Sequence, residues 1–357
     1  MNMKSFLSVT LAFNTGLVIL LSGLPPTAAN AVNEPTQLGD YRGAREAPHP
    51  DWFKESFLDL EEDIAEAAAS GKRLVLYFWQ DGCPYCAELI KNNFTQRDIS
   101  EAMQQRFDLV AINMWGDRDV IQVGGQSFSE KNLSDALRVN YTPTLMFFDE
   151  KGNVALRLDG YVPPERFRLA MDYASADNQI TSTFREFVAN RETPAATGIL
   201  HNEPFFAENP FDLTTPVKAG NQPIAVYFEQ HNCSACDTLH QQVLIDSATR
   251  KLAALFYSVQ LDMWADTPVV RPDGGHTNAR QWADDLGISY APSIVFFDSA
   301  GKEVMRIDAF LKTFHTQSVF DYVLNEAYIE QPNFQRYISV RAETLREQGI
   351  DVNIWSY

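Results

Sequence analysis

Apolar positions along the chain alternate between strand-like and helix-like spacing, and the alternation runs through twice. Phe57, Leu60, Ile64 and Ala68 lie at helical intervals, and Gly71 closes that helix. LVLYFW (74–79) is an unbroken apolar run, the pattern of a strand buried on both faces. AELIKNNF then continues as helix, and FDLVAINMW (107–115) reads as a second strand. A polar, glycine-containing insert (116–129) leads to a helix around 130–139. TLMFFD and NVALRLDG form a hairpin about Glu150-Lys151-Gly152, and PPERFRLAMDYA opens a last helix on its prolines. The second pass is IAVYFE, SVQLDMW, an insert (265–278), SIVFFD and EVMRID. It departs at NPFDLTTPVKAG, where Pro210 and Pro216 argue against a continuous leading helix. FQRYISVRAETLREQG reads as an amphipathic helix ended by Gly349.

The two passes match residue by residue. Tyr77-Phe78, Cys83 and Cys86 return as Tyr227-Phe228, Cys233 and Cys236, a shift of 150. Further on the shift is 149: Met114-Trp115 returns as Met263-Trp264, Tyr141-x-Pro143 as Tyr290-x-Pro292, and Arg157 as Arg306. The tails agree again at 150, with Phe184, Phe187 and Arg191 matching Phe334, Tyr337 and Arg341. A tandem duplication with single-residue indels accounts for this.

The N-terminus sets the expected compartment. Lys4, the apolar run Phe6 to Leu24, Pro25-Pro26 and Ala29-Asn30-Ala31 make the basic, apolar and small-residue regions of a cleavable signal peptide over 1–31. A retained anchor is the alternative, but Gly16 to Leu24 is short for crossing hydrocarbon and Asn14 interrupts the run. The remaining layout is an N-terminal linker (32–50), a first domain (51–191), a proline-punctuated linker (192–220), a second domain (221–341) and a C-terminal helical tail (342–357). The expectation is an exported, periplasmic chain with no stable membrane insertion after cleavage. A net charge of −18 argues against nucleic acid as a partner, whose binders are basic.

All four cysteines lie in DGCPYC (81–86) and HNCSAC (231–236). A stabilising disulfide framework closes long loops, whereas each of these pairs closes a tiny ring and gains little chain entropy. A four-thiolate zinc site would need the pairs to converge, yet each holds the same place in its own repeat. No metal or cofactor is expected. A strand running into Cys-x-x-Cys at a helix start sets the first sulfur against free backbone N–H groups and the helix dipole, which favour a thiolate. Cys83 is the expected nucleophile and Cys86 the resolving thiol, with Cys233 and Cys236 in the same roles. Thr142-Pro143 and Ala291-Pro292 each precede a buried strand, an unusual place for proline for which a cis bond is one explanation. His231, as a cation, would further stabilise the Cys233 thiolate; the alternative is an exposed loop histidine. Trp115 and Trp264 read as strand-end core or groove residues.

Strand, CPYC at a helix start, helix, strand, helix, Thr-Pro, hairpin and helix together resemble the thioredoxin superfamily in both copies. YFWQDGCPYC and YTPTLMFFDEKGNVALRLDGY are most similar to exported bacterial thioredoxins of the SoxW-like and Dsb types. The resemblance implies an α/β fold of two tandem thioredoxin-like domains, each a central mixed β-sheet flanked by helices. It implies cis bonds before Pro143 and Pro292, and a groove there in which Thr142 and Ala291 face substrate. It further implies thiol–disulfide exchange with disulfide-containing exported proteins, as reductase or isomerase, and a DsbD-like membrane thiol reductant as a partner. Two rival readings are a client-binding chaperone with only the first site redox-active, and a disulfide-donating oxidant. The family's buried acid, six residues before the first cysteine, is replaced here by Tyr77 and Tyr227. Glu229 is a candidate substitute in copy two, though a solvated charge at a strand end is the simpler expectation.

Overall fold

A computed structural model describes residues 37–176, 182–189, 191, 200–220 and 222–357. The expected signal peptide, the start of the N-terminal linker and residues 192–199 of the second linker lie outside the described residues. Each copy is built on a four-stranded sheet. In copy one the order is Phe107–Asn113, Arg73–Trp79, Thr144–Phe148, Val154–Asp159. The first pair is parallel and the other two antiparallel. Copy two repeats this with Tyr257–Asp262, Ile224–Glu229, Ser293–Phe297 and Glu303–Ile307. Both hairpins carry an irregularity at the same place, between Phe147 and Phe148 and between Phe296 and Phe297. The central strands are buried along their length except at Trp79, which is half-buried, as their unbroken apolar runs require.

Several boundaries differ from the sequence pattern. The leading helix is Leu60–Ala69, capped by Asp59, and Phe57 stands before it, fully exposed. The strand expected over 107–115 ends at Asn113, beyond which Met114 remains in the core. Both polar inserts fold into small hairpins, Asp119–Ile121 with Ser127–Ser129 and Pro268–Val270 with His276–Asn278. Copy two does open with a helix, but a short one, Thr214–Ala219. Pro216 falls in its first turn, where a backbone N–H would have no helical partner anyway. The last helix runs unbroken from Phe334 to Glu347. Among the described residues no helix is long and apolar enough to cross a membrane.

The two copies share one continuous apolar core, which includes Tyr141, Phe167 and Phe184 from the first and Ile307, Leu311 and Phe334 from the second. Tyr141 Oη donates to the Arg306 carbonyl at 2.6 Å across the junction. Gly160 and Ala309, equivalent positions of the repeat, meet there: a Cβ on Gly160 would lie 2.6 Å from Ala309 Cβ. Self-equivalent positions in contact are the mark of an approximate two-fold relation. The first and last segments of the described residues are tied to this assembly. Tyr41–Arg42 pairs in parallel with Val352–Asn353, and Arg45 N–H donates to Gly82 O beside the first dithiol at 3.1 Å.

Gly160 has φ +74°, so a β-branched residue there meets backbone strain and a steric overlap together. Gly160→Val should lower stability by about 2–4 kcal/mol, read as a reduced thermal midpoint in calorimetry. An unchanged midpoint would refute the close approach of the copies.

Candidate functional site

The central strand of copy one delivers Gln80, Asp81 and Gly82 to the start of helix Pro84–Glu88, which continues as a π-helical turn over Leu89–Phe94. Cys83 is the N-cap: its Sγ accepts from the Cys86 N–H at 3.0 Å, and Pro84 fills the first helical position. Cys233 caps Ser234–Thr238 in the same way, again at 3.0 Å from the Cys236 N–H. Each pair closes on itself as a disulfide, Cys83–Cys86 and Cys233–Cys236. In each, the first cysteine keeps slight exposure (4% and 6%) while its partner has essentially none (0% and 1%). That difference suits one sulfur to receive a substrate and the other to resolve from within.

The peptide bonds before Pro143 and Pro292 are cis, and each loop lies against its dithiol. Cys83 Sγ is 3.4 Å from the Thr142 carbonyl, and Cys233 Sγ is 3.6 Å from that of Ala291. The two sites then part. Thr142 Oγ1 donates to Cys83 Sγ at 3.3 Å and itself accepts from Gln80 Nε2 at 3.0 Å. Ala291 has no hydroxyl to offer. Gln80 is in turn held by the Trp115 indole N–H at 2.8 Å, and Gln230 by Trp264 at the same distance. Both tryptophans orient the glutamine that leads into their dithiol loop. The sequence carried that signal, since Gln80 and Gln230 obey the shift of 150.

Tyr85, inside CPYC, is buried against copy two. Its Oη accepts from the Lys312 N–H at 2.9 Å, and its ring meets those of His315 and Trp355 edge-on. Desolvation in this setting lowers the His315 imidazole to about 4, so the ring is neutral. Ala235 holds the matching place in CSAC. The difference between the two dipeptides is thus an anchoring difference as well as a chemical one. His231 is largely exposed, and its Nε2 lies 3.8 Å from an Asp262 carboxylate oxygen.

Glu229 corrects the sequence reading: it is fully buried, not solvated. Its carboxylate lies 3.0 Å from His240 Nε2 and accepts from Gln260 Nε2 at 3.1 Å. Glu203, from the stretch read as linker, meets His240 Nδ1 at 2.9 Å and accepts from Arg250 at 3.0 Å. The His201 ring stacks on His240 and pairs with Asp237 at 2.7 Å. Copy one has an aromatic cluster instead, with His49 and Phe53 packed around Tyr77 and Trp79. Tyr77 is raised by desolvation and stays neutral. Sequence reasoning missed His240 and Glu203 because their charges look solvated until the fold brings them together. Among the described residues no group of three or more His, Cys, Asp or Glu side chains is placed to hold a metal ion.

A helix-capping cysteine with a buried partner, set against a cis-proline loop, is the geometry of a thiol–disulfide oxidoreductase, and both copies carry that geometry. A thioredoxin-like domain model matches residues 60–175 and again 213–324, so the chain belongs to the thioredoxin-like family. Among solved structures, a thioredoxin-fold protein from Helicobacter pylori is 18% identical over 38% of this chain and 91% of its own, with a TM-score of 0.31. A thioredoxin from Thermus thermophilus is 19% identical over 38% and 86%, at 0.27. The oxidised C-terminal domain of DsbD from Neisseria meningitidis is 18% identical over 32% and 89%, at 0.24. A search of curated proteins finds no match. The family assignment rests on the domain model alone.

Thr142→Ala removes the only side-chain hydroxyl on Cys83 Sγ among the described residues, so the thiolate should titrate at higher pH by ultraviolet absorbance. Attack by Cys83 at neutral pH should slow by roughly three- to tenfold. Burial alone would lower the His240 imidazole, but the hydrogen bonds and charges of Glu229 and Glu203 outweigh it and raise it above 6.5. The folded ring binds its proton more tightly than the unfolded one, so its stabilisation is complete below pH 6.5 and lost as pH rises through the folded value. Thermal midpoints should therefore fall with rising pH over that window. In His240→Ala that dependence should vanish, with a loss of about 3 kcal/mol or more from the stranded carboxylates.

Proposed function

We propose that the chain is an exported, periplasmic oxidoreductase that exchanges disulfides with exported protein substrates, acting as reductase or isomerase. The observation that carries this reading is the cis-proline loop itself. Among the described residues the Thr142 N–H has no partner, and the residue lines a cavity of ≈ 340 Å³ that also holds Cys83. A free donor beside the nucleophile suits an extended substrate backbone, with the strand-addition geometry that gives affinity without sequence. In the forward direction the Cys83 thiolate attacks one substrate sulfur and forms a mixed disulfide. Cys86 then attacks Cys83, closing the enzyme's ring and releasing a substrate dithiol. Two electrons leave the enzyme in each cycle. A membrane thiol reductant of the DsbD kind is the proposed source of their replacement.

The second dithiol is proposed to work in the same manner, with Ala291 in place of Thr142. Tethering the two sites in one chain gives each a high effective concentration for a client held by the other.

Cys86→Ala and, separately, Cys236→Ala should trap exported clients as mixed disulfides on Cys83 and Cys233, visible on non-reducing gels and lost on reduction. Capture by neither variant would refute the reading. If only Cys86→Ala traps, and Cys233→Ala/Cys236→Ala leaves turnover intact, copy two is a client-holding domain.

A further inference from the structure

The repeat positions that close the two grooves are the same, and each set comes from the opposite copy. The cavity of ≈ 340 Å³ beside Cys83 is walled on its far side by Gln335, Ile338 and Ser339 of the last helix, in copy two. A second cavity, also ≈ 340 Å³, runs past Gln230, Asn232, Trp264 and Ala291; neither cysteine lines it, but the Ala291 carbonyl lies 3.6 Å from Cys233 Sγ. Its far wall is Arg185, Val188 and Ala189, from helix Phe184–Ala189 of copy one. Those triplets are related by the shift of 150.

Each roof is fixed by polar contacts to the groove it covers. Gln335 Nε2 donates to the Asn140 carbonyl at 2.7 Å, and its Oε1 accepts from Gln80 at 2.8 Å. Arg185 donates to the Met263 carbonyl at 3.0 Å, lies 4.4 Å over the Trp264 ring, and pairs with Asp284. Both side chains are buried, so these bonds are shielded from water.

From this the geometry points to reciprocal selectivity: the terminal helix of each copy limits the other copy's dithiol to small peptidic disulfides and excludes disulfides held in a folded surface. The inference rests on the oxidoreductase reading and narrows its substrate. A space of ≈ 340 Å³ sits at the low end for small-ligand sites. Gln335, Ile338 and Ser339 line the same cavity as Cys83, so a disulfide held in a folded surface would meet that helix as it nears Sγ. The chemistry is unchanged. Cys83 displaces one thiolate from the small disulfide, Cys86 displaces the other, two electrons pass to the substrate, and the dithiol's two protons end on the two released thiols.

The test uses pre-reduced full chain, freed of reductant, with Cys233 and Cys236 changed to Ala so that only the first dithiol reacts. Single-turnover oxidation is followed with glutathione disulfide and with native insulin, each rate divided by that of the same disulfide with dithiothreitol. The normalised glutathione disulfide rate should exceed the insulin rate at least threefold. Ser339→Trp, at an exposed position on the cavity wall, should lower the glutathione disulfide rate at least threefold. Gln335→Ala/Ile338→Ala should raise the insulin rate by at least that factor. Ala189→Trp, in a chain with Cys83 and Cys86 changed to Ala, repeats the narrowing test at the second dithiol and serves if Ser339→Trp does not fold. A smaller change in any of these comparisons overturns the inference. Failure of both disulfides to oxidise the unroofed chain would instead overturn the exchange reading beneath it.

Discussion

The contact of Gly160 with Ala309 sets how near the two copies approach, because equivalent positions can meet only where the copies face each other across a two-fold relation. With no Cβ on Gly160, the ends of the two hairpins close to van der Waals contact, and Tyr141 reaches the Arg306 backbone. That approach carries the terminal helices across the junction. Each helix then lies over a groove it could not reach in an isolated domain. Tyr85 is seated against Lys312, His315 and Trp355 for the same reason. The dithiol chemistry is local, but access to it is a property of the pair.

Much of this was legible in the sequence, and the physical reason is periodicity. Buried strands write themselves as unbroken apolar runs, so Arg73–Trp79 and Ile224–Glu229 are found almost to the residue. The helix-capping role of Cys83 and Cys233 follows from strand-to-helix order alone. Duplication then doubled the evidence, since a motif weak in one copy is supported by its counterpart.

What stayed hidden depends on long-range partners. Glu229 reads as a solvated charge because its buried partners are distant in sequence: His240 lies on the next helix and Glu203 comes from before the strand. Phe57 reads as the first core residue of a helix, yet Asp59 caps the helix and leaves it outside. The matching tails, Phe184 with Phe334 and Phe187 with Tyr337, were visible as a repeat. Their placement over the opposite dithiol was not, because a shift in sequence says nothing about which copy a helix packs against.

The asymmetry of the two sites now has a physical content. At the first dithiol a hydroxyl from Thr142 is directed at the attacking sulfur, and every bond that favours the thiolate favours the reduced state. At the second dithiol that donor is absent, and the nearby polarity has moved into a buried carboxylate–imidazole–carboxylate chain. The hydroxyl has no counterpart on Ala291, so the two dithiols are chemically unequal. Divergence of Thr142 and Ala291 makes the second copy a differently tuned pair rather than a duplicate of the first.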